Sequence, residues 1–414
     1  MRARLPVSRS GARRRERRAG LRLKVAWVSN VLPPSHTAHA AIIHRLLRDR
    51  DPETYCLLSG RDYVTKEQEE WSERLPGRYY HLRSFRLTRG YRFGMGLVRV
   101  HLNHLLDVQR VFQIARILRR ERCGAVVACT GGDEISDFAA AYLASRMVGI
   151  PFYAYLLDQF SHMVNFGMGT TILRHLEPTM MRRAAAVIVP NEFLASDVRR
   201  KFGIEPVIIR NPIDLSLYEA ARRNGPEVSA TGECRIVYTG EVGVLHFSAF
   251  HNLLAAIETL DLPAKLHLYT YRDREPLEQA GIKGPVVFHG QHRLEEMPAI
   301  QASADILFLP LALDSEHPDI VRTAAPGKMG EYLAASRPVL VHAPPSSFVA
   351  WYFRHYECGL VIERDDPQAL GDGIRRLVAD AALCRSLSER AWERANADFG
   401  IDKARAQIDR LLGW

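Results

Sequence analysis

PGKMGEYLAASRPVLV, residues 326–341, decides the fold of this chain. Pro326-Gly327 and Ser336-Arg337-Pro338 are breakers, and the residues between them, Lys328 to Ala335, favour helix. Val339-Leu340-Val341 then reads as a buried strand. Lys328 and Glu331 are three apart, so a helix sets them on one face of its first turn. Free N–H groups and the macrodipole draw anions to a helix start, and the lysine adds charge there. A glutamate in the same turn repels a phosphate unless it points at something else, such as sugar hydroxyls. The pair therefore points to a nucleotide, with phosphate near Lys328 and the ribose diol on Glu331.

Outward from this stretch, apolar runs alternate with helical-period segments, the pattern of repeated βαβ units and parallel sheets. In the first half, strands are expected at 24–29, 54–58, 125–129, 152–157, 186–189 and 207–209. Helices are expected at 38–48, about 98–121, 137–148 and 192–202. After Asp214 a second series begins, with strands at 235–239, 265–269, 286–289, 305–309, 339–342 and 359–362 and helices such as 247–259. Asp366-Pro367 is a helix start, with Asp at the N-cap and Pro at the first helical position. The polar stretch 219–233, with Asn224-Gly225-Pro226 and Thr231-Gly232, reads as the link between two domains, residues 24–218 and 234–397.

With 414 residues, 47% of them apolar, the chain can build two sizeable cores. Its net charge of +9 resides in residues 1–24, which hold ten Arg/Lys and a single Glu, so the remainder is balanced. This tail, about residues 1–23, has no apolar segment of a secretory signal and cannot bury a core, so disorder is expected. It is read either as a solvated appendage or as an electrostatic tether to an anionic membrane surface. The balanced body shows no nucleic-acid-binding module. Residues 91–120, apolar at helical spacing and otherwise basic, are read as packed helix with solvated arginines, as an interfacial face, or as both. Six scattered cysteines without CxxC or Cys/His ligand spacing look like buried thiols of a reducing compartment. No apolar run reaches eighteen residues.

Two doubly wound domains in tandem leave a cleft at their strand C-terminal edges, where open α/β sheets bind ligands. The loops expected there are Gly240-Glu241-Val242-Gly243, Gly290-Gln291-His292 and Thr130-Gly131-Gly132-Asp133. Asp49-Arg50-Asp51 spells DxD but ends a helix in an Arg-rich stretch and is read as surface charge. No HxxxH or HExxH spacing occurs, so no metal site is expected.

Pro326, Lys328, Glu331, Tyr332, Leu333, Ala334, Ala335, Pro338 and Val339 fill a pattern that resembles the bacterial group 1, family 4-like retaining glycosyltransferases of the GT-B fold. PNEFLASDVRRKFGI followed by VIIRNPID, residues 190–214, is similar to their inter-domain passage, and VVFHGQH and ADILFLP also match. The resemblance implies a cytoplasmic enzyme, at most peripheral on the inner membrane face, that takes a sugar from a nucleotide diphosphate without cofactor or metal. A saccharide or lipid-linked saccharide in surface polysaccharide biosynthesis is the expected acceptor. A C-terminal helix, about 398–414, is expected to pack back on the first domain. Glu331 is assigned to the ribose hydroxyls and Lys328 to the diphosphate, with Gly240, Glu241, Gly243, Gly290 and Gln291 around the donor. On the acceptor side stand Ser35, His36, Thr130 and Asp133. The chain departs from the family at four places: residues 240–246 lack its basic pair, the loop at 33–38 lacks its glycines, and two single positions differ. Thr323 occupies the position of the first glutamate of E-x7-E, and Leu157 that of a histidine. Asp158, His162 and Arg322 are therefore the candidates for the reaction centre. The departures also leave open a silent nucleotide-sugar-binding relative or scaffold, and a sugar-nucleotide epimerase of the same fold.

Overall fold

A computed structural model describes residues 23–35, 37–65, 73–83, 96–130, 136–157, 168–223 and 232–414, with only the backbone of 96–107, 168–174, 221 and 223. The basic tail through residue 22, most of the 219–233 link, and His36, Gly131, Gly132, Asp133, Asp158 and His162 lie outside the described residues.

The apolar runs form two parallel sheets. The first contains β1 (Val25–Val28), β2 (Tyr55–Ser59), β3 (Arg78–His81), β4 (Ala125–Cys129), β5 (Phe152–Tyr155), β6 (Ala186–Val189) and β7 (Val207–Ile208), in the order 3-2-1-4-5-6-7. The second contains β8 (Cys234–Thr239), β9 (Ala264–Tyr269), β10 (Val286–Phe288), β11 (Ile306–Pro310), β12 (Val339–His342) and β13 (Leu360–Ile362), in the order 10-9-8-11-12-13. Each order reverses once, between β1 and β4 and between β8 and β11. Ligands bind outside the carboxyl ends of such switch points.

Helices cover both faces, and the strands at the first sheet's switch point, β1 and β4, are apolar without interruption. All four residues of β1 are fully buried. Ala26 and Val28 face the helices Gly96–Arg120 and Ser136–Val148. Val25 and Trp27 face Ala38–Leu47 and the last helix, Ile401–Leu412. That last helix returns to the first sheet after the second has been completed. Its Ala404, Ile408 and Leu412 enter the same cluster as Trp27, whose ring lies 6.5 Å from that of Trp414. The crossing is fixed by backbone: Ile213 N–H donates to Phe399 O at 2.8 Å, and Ile401 N–H to Ile213 O at 3.0 Å.

Some sequence expectations are corrected. Strand β3 has no counterpart in the apolar pattern, because RYYH is an edge strand, half-exposed throughout. The run 152–157 is strand only to Tyr155. The arginines of the 91–120 segment are not uniformly solvated: Arg110 is buried and its Nη1 donates to Asp137 Oδ1 at 3.0 Å. Removing one partner of such a pair leaves an uncompensated buried charge.

Where the second sheet meets the returning chain there is room for nothing larger than glycine. A Cβ on Gly330 would lie 2.7 Å from Phe399 Cδ1 and 3.2 Å from Ile213 Cγ2. Gly330→Ala should cost about 1–3 kcal/mol through overpacking, although alanine is the better helix former. Chemical denaturation should show a lower midpoint; an unchanged or raised midpoint contradicts this packing.

Candidate functional site

A cavity of about 300 Å³ opens where the carboxyl ends of the two sheets face each other. The first turn of helix Ala38–Leu47 contributes Thr37, Ala38 and His39, and farther along come Ala41, Ile42 and Arg45. Thr37 caps this helix by accepting from Ala40 N–H at 3.2 Å. Leu157 and Asn211 complete the wall from the first half. Opposite stand Thr239, Gly240 and Glu241 after β8, Tyr269 to Tyr271 after β9, Gly290 to His292 after β10, and Ala324 to Lys328 with Glu331.

Glu331 sits on helix Lys328–Ala334 and is largely buried. Both of its carboxylate oxygens have protein donors. Arg45 Nη2 reaches Oε1 at 2.6 Å and Gln301 Nε2 reaches Oε2 at 3.0 Å. Arg45 belongs to the first half of the chain, so this ion pair closes across the domain boundary. Its other fork nitrogen, Nη1, donates to Pro212 O at 3.1 Å. Gln301 also donates to Thr239 Oγ1 at 3.1 Å and accepts from Tyr218 Oη at 2.9 Å. Two further bonds hold the preceding loop. Asn191 Nδ2 donates to Thr323 O and Asn211 Nδ2 to Ala325 O, each at 2.8 Å.

Lys328 lines the same cavity. Its Nζ donates to Tyr238 Oη at 2.5 Å and lies 4.2 Å from the centre of that ring. Burial strips water from the ammonium and lowers its pKa to about 8, against the opposing pull of Glu331 and Glu241. Gly240 has φ +117°, and a Cβ there would approach Lys328 Cε to 3.2 Å, so only glycine leaves the lysine this position. His246, also on the cavity wall, is pushed to about 3 by burial and then by the lysine charge, so it stays neutral. Glu241 pairs with Arg272 at the rim.

The structure thus brings Gly240, Glu241, Gly290, Gln291, Lys328 and Glu331 to one wall. Gly243 is not on it; its N–H donates to His246 Nδ1 at 3.3 Å, which shapes the loop. Arg322 is a correction. Its guanidinium pairs with Asp197 on helix Glu192–Phe202, away from the cavity. Thr323, one residue on, is buried and donates to Asp319 O at 3.1 Å. Ser35 and Thr130 are buried behind the wall; Thr130 Oγ1 accepts from Leu157 N–H at 2.9 Å. Among the described residues no three His, Cys, Asp or Glu side chains cluster as metal ligands, and no helix is long and apolar enough to cross a membrane.

Arg45, Gln301, Asn191 and Asn211 escaped the sequence reading. Arg45 is one of many arginines, four residues after a buried face position of its helix. Gln301 lies in a generic helix. The two asparagines do lie in the 190–214 passage that the sequence singles out, and their amides are among the bonds that join the halves.

Two family models match the chain in sequence. Residues 38–217 match Glycosyltransferase Family 4, and residues 233–380 match Glycosyl transferases group 1. A search of curated protein sequences gives no match. Solved structures superpose over nearly the whole chain. A sucrose-phosphate synthase from Thermosynechococcus elongatus is 16% identical, with TM-score 0.65 and coverage of 94% of this chain and 98% of that one. Anabaena HepE in complex with UDP-glucose is 14% identical, with TM-score 0.66 and coverage of 94% and 99%. A glycosyltransferase from Rickettsia africae is 11% identical, with TM-score 0.65 and coverage of 94% and 98%. At these identities the likeness is one of fold, and the fold is GT-B.

The lowered lysine pKa makes the cavity's affinity for anions depend on pH. Lys328 carries its charge below pH 8 and loses it above, so the charge that attracts an anion disappears as pH rises. The advantage of wild type over Lys328→Met in binding inorganic pyrophosphate should shrink by about tenfold per pH unit above 8. Titration calorimetry at pH 7 and 9 reads this difference; a constant advantage would show that Lys328 does not meet the anion.

Proposed function

The chain belongs to the group 1 glycosyltransferases, each half matched by its own family model, and we propose that it transfers a sugar from a nucleoside-diphosphate donor with retention of configuration. The observation that carries this reading is the placement of Glu331 and Lys328 on one cavity wall at the carboxyl ends of both sheets. Glu331 keeps lone pairs for the ribose diol beyond those that Arg45 and Gln301 use, since an ionised carboxylate has about four acceptor sites. Lys328 takes the diphosphate and stabilises the charge that grows on it as the sugar–phosphate bond breaks. A cavity walled by both domains excludes water from the donor, which favours transfer over hydrolysis. The reaction needs neither cofactor nor metal in this scheme. Asp158 and His162, which follow Leu157 of the cavity wall, are the proposed groups at the reaction centre.

The acceptor is a saccharide or lipid-linked saccharide for surface polysaccharide synthesis, met at an anionic membrane surface from the cytoplasmic side. Support comes from the placement of charge. Lys24, at the end of the basic tail, is held by Glu121 at 2.6 Å, at the end of helix Gly96–Arg120. Phe112 and Val108 of that helix are exposed, as are Leu143 and Met147 on the helix beside it, among Arg116, Arg119, Arg120 and Arg146. Deleting residues 1–23 should release the protein from anionic liposomes at low salt, since each basic residue near the surface contributes about 1 kcal/mol. Unchanged sedimentation with the liposomes would rule out the tail as the tether.

The donor assignment is tested by a thermal-shift screen with UDP-, GDP-, ADP- and dTDP-sugars, followed by kinetics of Glu331→Gln. The substitution should raise donor KM about 10–100-fold, the loss of one charge-assisted bond or more. Unchanged kinetics in a folded variant would remove Glu331 from the donor site. Donor binding without turnover would favour a silent sugar-nucleotide-binding relative, the reading that Thr323, buried where the family carries its first glutamate, supports. Turnover of a sugar nucleotide alone to its epimer would identify an epimerase.

A further inference from the structure

We infer that Arg45, from the first domain, positions the ribose-binding carboxylate of the second, so that recognition of the donor's diol exists only when the two domains meet. This rests on the donor-site reading of Glu331.

A glutamate side chain has three rotatable bonds and finds its own orientation only if something holds it. Here the carboxylate is held at both oxygens. Gln301, itself fully buried, fixes Oε2 from within the second domain. Arg45 fixes Oε1 at 2.6 Å from the first. Arg45 is in turn pinned at three places. Nη1 is bound to Pro212 O at 3.1 Å, Nη2 to Glu331, and its own carbonyl accepts from Arg405 Nε at 3.1 Å and Nη2 at 2.6 Å. Arg405 lies on the returning C-terminal helix. The last helix of the chain thus holds the backbone of Arg45, and Arg45 holds Glu331. The arginine itself lines the cavity, so the pair faces the ligand space and is not merely an interface contact.

A planar fork that bonds a carbonyl with one arm and a carboxylate with the other cannot be copied by lysine, which offers a single point charge. Separation of the domains removes Arg45 from Glu331 and leaves the carboxylate with one fixed oxygen. Donor binding and domain approach are therefore coupled through this one bond. The function of Arg45 is positioning: it acts on the diol through Glu331.

The test compares the nucleoside diphosphate that wild type binds among UDP, GDP and ADP with its 2′,3′-dideoxy form, by calorimetry. Wild type should bind the dideoxy form about 10–100-fold more weakly, because the charge-assisted bonds to Glu331 are lost. In Arg45→Ala this ratio should collapse to within about threefold, with the ribonucleotide weakened and the dideoxy form unchanged. Arg45→Lys, which keeps the charge in the buried site, should fold and give an intermediate ratio; it carries the test if the alanine variant does not fold. A purely structural role would weaken both nucleotides equally. Variants that keep the wild-type ratio overturn the role of Arg45 alone. A wild type that binds none of the three overturns the donor-site reading and this role with it.

Discussion

One buried ion pair, Arg45 with Glu331, joins the two halves of this molecule at the place where its ligand cavity lies. Taking two charges out of water costs several kcal/mol per ion, and their attraction offsets this only when geometry is good and the remaining donors and acceptors are satisfied. Both conditions hold. The N–O distance is 2.6 Å, the second arm of the arginine has a carbonyl, and the second oxygen of the glutamate has an amide. Across the same boundary run the more exposed Arg322–Asp197 pair and neutral amide bonds from Asn191 and Asn211. The amide bonds contribute about 0.5–1.5 kcal/mol each, and they break and re-form more readily than the desolvated Arg45–Glu331 pair.

The returning chain makes this arrangement possible. A second domain strung on a single link would be free to sit anywhere relative to the first. Here the chain crosses twice. The segment after β7 leads into the second sheet, and the segment after Phe399 leads back, the two bonded to each other at Ile213. The last helix then contributes Ile408 and Leu412 to the core beneath β1, so pulling the domains fully apart would expose part of the first domain's own core.

The sheets were legible in the sequence because parallel strands buried on both faces read as unbroken apolar runs, as AVIV at 186–189 and VLV at 339–341 do. RYYH at 78–81 was not, because this edge strand is only partly covered and begins and ends on polar residues, so it carries no such signal. Gly240 and Gly290 were legible for another reason: each lies within two residues of a strand's carboxyl end, where topology alone predicts a ligand. Lys328 and Glu331 were legible from their spacing of three in the first turn of a helix set between breakers. Arg45 and Gln301 lie inside helices, with their partners 286 and 30 residues away. No local pattern encodes contacts of that kind. Arg322 failed for the converse reason. It lies beside the right loop, but its guanidinium is taken up by Asp197 on a helix of the first domain.

The same geometry bears on the missing glutamate at position 323. Asn191 and Asn211 grip the backbone of residues 323 and 325, and Thr323 is turned inward to the carbonyl of Asp319. A glutamate placed there in this conformation would point its charge into a buried, already bonded environment, which is costly without a partner. The threonine is therefore not a simple gap in an otherwise intact site: loop conformation and residue agree with each other. Among the described residues, the carboxylates left on the cavity wall are Glu331, held by Arg45 and Gln301, and Glu241, paired with Arg272 at the rim. Besides Glu241, the charged side chains on the described wall are Arg45, Lys328 and Glu331, gathered where the proposed nucleotide would place its ribose and phosphates.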